Sequence, residues 1–196
     1  MKKLHVIFIC LFFKFLALAQ NRYHVTQIVC PKNEEITYLK YNMTPINGVV
    51  YCEYGDMGKY MNGLKEGIHF QWAENGNLWT KCNFTNGKED GLHQWWFKEG
   101  GEIMIEASYS NGKANGIHRW WAENGQLMME ESYKLGKRDG LWRTFHENGV
   151  LDNQIVYIND KIADDRVEYF DYQGQNFKTE YYSNGILINC TGNCIP

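Results

Sequence analysis

The sequence predicts an all-β protein, an elongated antiparallel meander of tandem β-hairpin repeats. Three observations predict it. One passage recurs as NGKEDGLHQWWFKEGGEIMIEASY, NGKANGIHRWWAENGQLMMEESY and LGKRDGLWRTFHENGVLDNQIVY, with Gly91, Gly116 and Gly140 at the same place, spaced 25 and then 24 residues apart. Self-similarity at such a period marks a repeat architecture. Asn-Gly recurs at 47, 62, 75, 86, 111, 115, 124, 148 and 184, joined by Asp90-Gly91 and Asp139-Gly140. That dipeptide favours a type I′ hairpin turn, whose two central residues need positive φ. The runs between these turns are of strand length and show no sustained helical period. Aromatics at 15% with only 3 prolines agree, since aromatic side chains suit a pleated, half-buried surface.

In chain order, Met1-Lys2-Lys3 is a basic start, Leu4 to Leu18 is mostly apolar and Ala17-Leu18-Ala19 offers small residues for cleavage. Residues 1–19 read as a secretory signal, since the run is short for a membrane span of ~20 residues. Residues 20–46 form an N-terminal capping segment with strand-like alternation at Tyr23–Val29 and Ile36–Tyr41 and a turn at Pro31-Lys32-Asn33. Residues 47–185 are the repeat array. Residues 186–196 are a C-terminal cap, in which Cys190 and Cys194 bound a loop tight enough to close as a disulfide in an oxidising compartment. Cys30, Cys52 and Cys82 complete the exported chain, and the odd total leaves a thiol unpaired in a monomer.

Aligning the copies assigns columns to faces. Ile68, Leu92, Ile117 and Leu141 form one column, and four residues on stand Trp72, Trp96, Trp121, Phe145 and Phe170. Even spacing places both on one side of the sheet. The return strands add Leu78, Ile103, Leu127 and Leu151, then Phe84, Tyr109, Tyr133, Tyr157 and Tyr182. These aromatics are the expected stabilising spine. The other face carries His69, His93, His118 and Trp142, with Trp95 and Trp120 beside them and Lys81, Glu106, Glu130 and Gln154 on the return strands. That half-exposed face, His69, His93, Trp95, His118, Trp120 and Trp142, is the candidate binding surface, because exposed aromatics mark interfaces.

Catalytic and cofactor readings find little support. Histidines in one column lie two strand spacings, about 9–10 Å, apart, too far to converge on one zinc ion. Glu74, Glu123 and Glu147 stand at hairpin tips a repeat apart, not across one cleft. No serine has a nucleophile-elbow setting, and no Gly-rich loop joins a strand to a helix. No enzyme activity and no cofactor or metal are expected. A net charge of −3 argues against a nucleic-acid partner. Three Asn-x-Thr triplets, at Asn42, Asn83 and Asn189, fit the glycosylation pattern.

The units NGKEDGLHQWWFKEGGEI, NGKANGIHRWWAENGQL and GKRDGLWRTFHENGVL resemble the bacterial variant of the MORN repeat over about residues 47–185. Arg166 and Asn176 depart from the pattern, where an aliphatic residue stood in earlier copies. Bacterial proteins of this build are grouped as a YwqK-like antitoxin family, so the resemblance implies neutralisation of a toxin by binding, with no active site to carry over. Eukaryotic MORN proteins, more distantly similar, imply scaffolding and membrane-surface association. A cytoplasmic antitoxin has no use for an export signal. The expectation is therefore an exported, non-catalytic module that binds a protein partner in the periplasm, at the cell surface or outside. Toxin neutralisation and an envelope scaffold for lipid or glycan are the alternatives.

Overall fold

The computed structural model describes residues 21–32, 34–163 and 166–194, and residues 1–19, read above as a secretory signal, lie outside them. Contacts divide the chain into a unit ending at Gly67 and a unit beginning at Ile68. The boundary drawn at 46/47 from the repeat pattern falls inside the first.

In the first unit, Arg22–His24 pairs in parallel with Gly48–Cys52, which pairs antiparallel with Gly55–Met61. The alternation at Tyr23–Val29 does not give one strand. Val25–Gln27 is a 3-10 turn, because His24 caps it with its ring while Gln27 Oε1 accepts from the His24 N–H at 2.7 Å. Ile28–Val29 then pairs with Tyr38–Leu39, the only part of the Ile36–Tyr41 run that is strand. Leu39, Ile46, Val50 and Tyr60 are buried together, with Tyr23, Val25, Ile28 and Met57 packed on them.

The second unit is a meander. The return strand Leu78–Thr85 is followed by the hairpins Gly91–Trp96 with Ile103–Ser110, Gly116–Trp121 with Leu127–Lys134, Gly140–Phe145 with Leu151–Ile158, and Arg166–Phe170 with Asn176–Ser183. Ile186–Gly192 closes the order, antiparallel to Asn176–Ser183. A two-residue strand precedes each hairpin, at Lys88–Glu89, Lys113–Ala114, Lys137–Arg138 and Lys161–Ile162. Cys190 and Cys194 form the expected disulfide.

The Asn-Gly dipeptides have separate jobs. Type I′ geometry occurs at Asn62-Gly63, Asn86-Gly87, Asn111-Gly112 and Asn184-Gly185, with both residues at positive φ. Leu135-Gly136 and Asn159-Asp160 take the same geometry without the dipeptide, because the register demands it of them. Asn75, Asn124 and Asn148 instead close three-residue loops. There the Gly N–H donates back to Ala73, Ala122 or His146 at 2.8–2.9 Å, and the Asn side chain accepts from the N–H two residues on. Asp90-Gly91, Asn115-Gly116 and Asp139-Gly140 are not hairpin turns. They kink the chain into the next strand, and Asn115 and Asp139 accept from the N–H groups of Leu135 and Asn159 in the following turn. The glycine is required because a Cβ at Gly116 or Gly140 would meet the Ser108 or Ser132 Cβ at 3.1 or 2.9 Å, at φ +114 and +112.

The 25-residue step has a structural cause. The loop after Trp96 spans Lys98 to Gly101, one residue longer than its equivalents, with Phe97 N–H bonded to the Glu102 carbonyl.

Leu135 is 62% exposed and holds φ +51, a left-handed conformation that asparagine adopts with less strain. Leu135→Asn is expected to raise stability by about 1 kcal/mol. Thermal and urea unfolding check it, and a lowered midpoint would contradict the strain argument.

Candidate binding face

Within each hairpin, alternation along Gly91–Trp96 puts His93 and Trp95 on one face and Leu92, Gln94 and Trp96 on the other. The return strand does not keep the parity that even spacing suggested. Ile103 opposes Trp96, but Ile105 opposes Trp95, so Met104 is an extra residue. The same bulge recurs at Trp121/Leu127, Phe145/Leu151 and Phe170/Asn176. A bulge sets two residues against one and swaps the faces of all later residues in the strand. Tyr109, Tyr133 and Tyr157 therefore share the histidine face, opposite Trp96, Trp121 and Phe145. This corrects the expectation that they share a face with those aromatics.

The histidine face is the interior one. His69, Phe84, His93, Tyr109, His118, Tyr133, Trp142 and Tyr157 form a continuous ladder of rings with successive centroids 4.7–5.5 Å apart. His93 is 0% exposed, and His69, His118 and Tyr157 are buried. Trp95 and Trp120 flank the ladder, half-buried, with centroids 5.9 and 6.0 Å from His93 and His118. The expected half-exposed surface is thus corrected too: three of its six residues are buried and the others half-buried. Among the described residues no group of three His, Cys, Asp or Glu side chains is placed to hold a metal. A Phe or Tyr ring stands between each histidine and the next.

The ladder has a polar purpose. His93 Nε2 reaches the Asn83 carbonyl at 2.7 Å, His118 Nε2 the Ser108 carbonyl at 2.9 Å and Trp142 Nε1 the Ser132 carbonyl at 3.0 Å. A carbonyl only accepts, so each Nε2 carries its hydrogen. The same three carbonyls accept from Asp90, Asn115 and Asp139 N–H groups at the kinks. Tryptophan can replace histidine at 142 because both offer a ring N–H at that reach.

The opposite face is open. Ile68, Leu92, Ile117 and Leu141 are 47%, 48%, 42% and 38% exposed. The sequence placed this column with the core, and the structure places it on the surface. Beside it runs a polar ladder of residues paired across strands, Lys81, Gln94, Glu106, Arg119, Glu130, Arg143, Gln154 and Glu168. Glu106 accepts from Gln94 at 2.8 Å, Glu130 from Arg119 at 2.8 Å and from Arg143, and Glu168 from Gln154. Partial burial by itself raises the Glu130 carboxyl, but the bonds and charges of Arg143 and Arg119 bring it below its ordinary value. On the interior face, burial pushes Glu131 up against the opposing pull of the Tyr133 hydroxyl bonded to it at 2.9 Å. The Tyr133 hydroxyl is raised by burial and then by that carboxylate.

A sheet built by adding one bulged hairpin per repeat, each bonded to the last, defines a tandem β-hairpin repeat protein. The MORN repeat variant matches residues 65–86, 114–135 and 138–159, so the chain carries copies of that repeat. The copy between the first two matches contains the longer loop at Lys98–Gly101, and the copy after residue 159 is not matched either. No curated protein matches the chain. Among solved structures it is similar to that described as "Crystal Structure of TarM", at 14% identity and a TM-score of 0.32, over 50% of this chain and 19% of that one. The chain spans under a fifth of that protein, and a likeness so slight carries no argument about fold or function.

Trp142→Phe, which removes the N–H and keeps a ring, is expected to cost about 1 kcal/mol, while Trp142→His loses less than Trp142→Ala. Urea unfolding of the three variants tests the donor role, and equal losses from Phe and His would refute it. The two carboxylates predict opposite pH behaviour. The depressed Glu130 contributes stability above the ordinary carboxylate range, lost as pH falls through that range to its lower folded value. The raised Glu131 reverses the sign, so stability declines as pH rises from the ordinary range through its higher folded value. Glu130→Gln should lower stability at neutral pH and flatten the acid-side loss, and Glu131→Gln should raise it. Unfolding across pH decides, and shifts of the same sign at neutral pH would contradict the assignment.

Proposed function

We propose that this chain is an exported, non-catalytic binding module that holds a protein partner on the face carrying Ile68, Leu92, Ile117 and Leu141. The observation that carries the reading is that one exposed aliphatic residue recurs per repeat in a single column. Single exposed apolar residues are ordinary on protein surfaces, but a line of them beside a polar strip has the texture of an interface. Half-buried Trp72, Trp96 and Trp121 lie on the same face and supply the aromatic character that interfaces favour. Export rests on the basic and apolar segment before Gln20. The resemblance to antitoxins makes a toxin one class of partner, and rescue from a toxic neighbouring reading frame on co-expression would identify it. An envelope scaffold for lipid or glycan is the competing reading, tested with liposomes and glycan arrays.

The protein beginning at Gln20, used as bait in envelope extract, should retain a partner. Ile117→Asp with Leu141→Asp should weaken retention about tenfold, the equivalent of 1.4 kcal/mol, with an unchanged circular dichroism spectrum. Retention that survives this pair but is lost in Trp95→Ala with Trp120→Ala would move the interface to the other face.

A further inference from the structure

The polar ladder of the open face is balanced along most of its length and unbalanced at one end. Of its three cations, Arg119 and Arg143 both bond Glu130. Lys81 stands in the same column as Glu106, Glu130 and Gln154, and among the described residues it has no hydrogen bond or ion pair. The next place in the ladder, which Arg119 and Arg143 occupy in later copies, belongs here to Phe70, which has no charge to offer. Lys81 also lines a groove of roughly 280 Å³ with Ile68, Leu92, Asn83, Gln94 and Cys82. Its polar neighbours are already engaged. Asn83 Nδ2 donates to the Asp90 carbonyl at 2.5 Å, and Gln94 Nε2 donates to Glu106. Ile68 and Leu92, each nearly half exposed, give the groove its apolar walls.

We infer that this groove is where the partner's specificity is read, and that it receives an acidic side chain, Asp or Glu, flanked by apolar residues on an extended segment of the partner protein. The inference rests on the binding-module reading and adds the chemistry of the partner to it. The ladder shows the complement that a cation in this strip takes, since Arg119 and Arg143 are each met by a carboxylate from a neighbouring strand. A partner carboxylate at Lys81 extends the pattern by one rung. Lysine suits the task because its ammonium is a compact charge with three donors on a flexible stem. A concave, partly apolar setting strengthens its field over that of a lysine on an open surface. The adjoining apolar residues of the segment cover Ile68 and Leu92, so charge sets register and apolar contact supplies area.

The test is selection from a random peptide library displayed on phage, run against the protein from Gln20 onward and against Lys81→Met, which keeps the stem and removes the charge. The wild type is expected to enrich peptides with Asp or Glu between apolar residues, and Lys81→Met to lose the acidic preference. A selected peptide should bind Lys81→Met about fivefold more weakly, the upper range for one solvent-accessible ion pair, and regain affinity with Lys81→Arg. Its Glu→Gln or Asp→Asn analogue should show the same loss on the wild type and no further loss on Lys81→Met. Circular dichroism and the unfolding midpoint establish that each variant is folded. Enrichment without acidic residues, no enrichment, or equal affinity for the wild type and Lys81→Met would each overturn the inference. If these results coincide with partner retention that still depends on Ile117 and Leu141, the binding module stands and only the carboxylate site falls.

Discussion

A ring N–H that answers a main-chain carbonyl at three successive kinks is the constraint on which this array depends. The Asn83, Ser108 and Ser132 carbonyls each take two donors, one from the backbone at the kink and one from His93, His118 or Trp142. A buried carbonyl has two lone pairs, and leaving either buried and unanswered costs free energy. The ring that satisfies it also packs, tilted or edge-on, against the Phe or Tyr rings of the neighbouring strands. In three successive repeats one side chain, His93, His118 or Trp142, thus serves hydrogen bonding and packing together and joins its hairpin to the preceding strand.

The tips reinforce this junction from outside. The N–H groups of Gly112, Gly136 and Asp160 donate to the Glu89, Ala114 and Arg138 carbonyls at 2.7–2.9 Å, each bond crossing from one repeat to the preceding one. Asn75 and Asn148 do the same at the other end, donating to the Lys98 and Tyr172 carbonyls of the following loop. The interior ladder and the two rims join repeat to repeat, and on the outer face the bonds from Arg119 and Arg143 to Glu130 add to them. That face keeps exposed aliphatics and a strip of paired charges, and it is the face we propose for a partner.

Much of this was legible in the sequence. The repeat, its boundaries at Gly91, Gly116 and Gly140, the antiparallel strands and the Cys190–Cys194 closure all come from local signals. The columns were legible as well, for His69, His93, His118 and Trp142 do line up, as do Phe84, Tyr109, Tyr133 and Tyr157. The assignment of faces was not. Even spacing from Ile103 to Tyr109 predicts one side, but the extra residue at Met104 reverses it, and a bulge leaves no mark in residue type. Composition then misled further, since an aliphatic column looks like core and a histidine column looks like surface. The clue that was present is Trp142, which shares with histidine little besides a flat ring and an N–H to donate.

By itself the amino-acid order determined the period, the turn positions and the strand direction, because these depend on neighbours in the chain and on the φ angles that Asn and Gly tolerate. Which face turns inward was decided only by tertiary structure. It depends on the pairing register between strands, and on whether a ring can reach a carbonyl ten residues away along the chain.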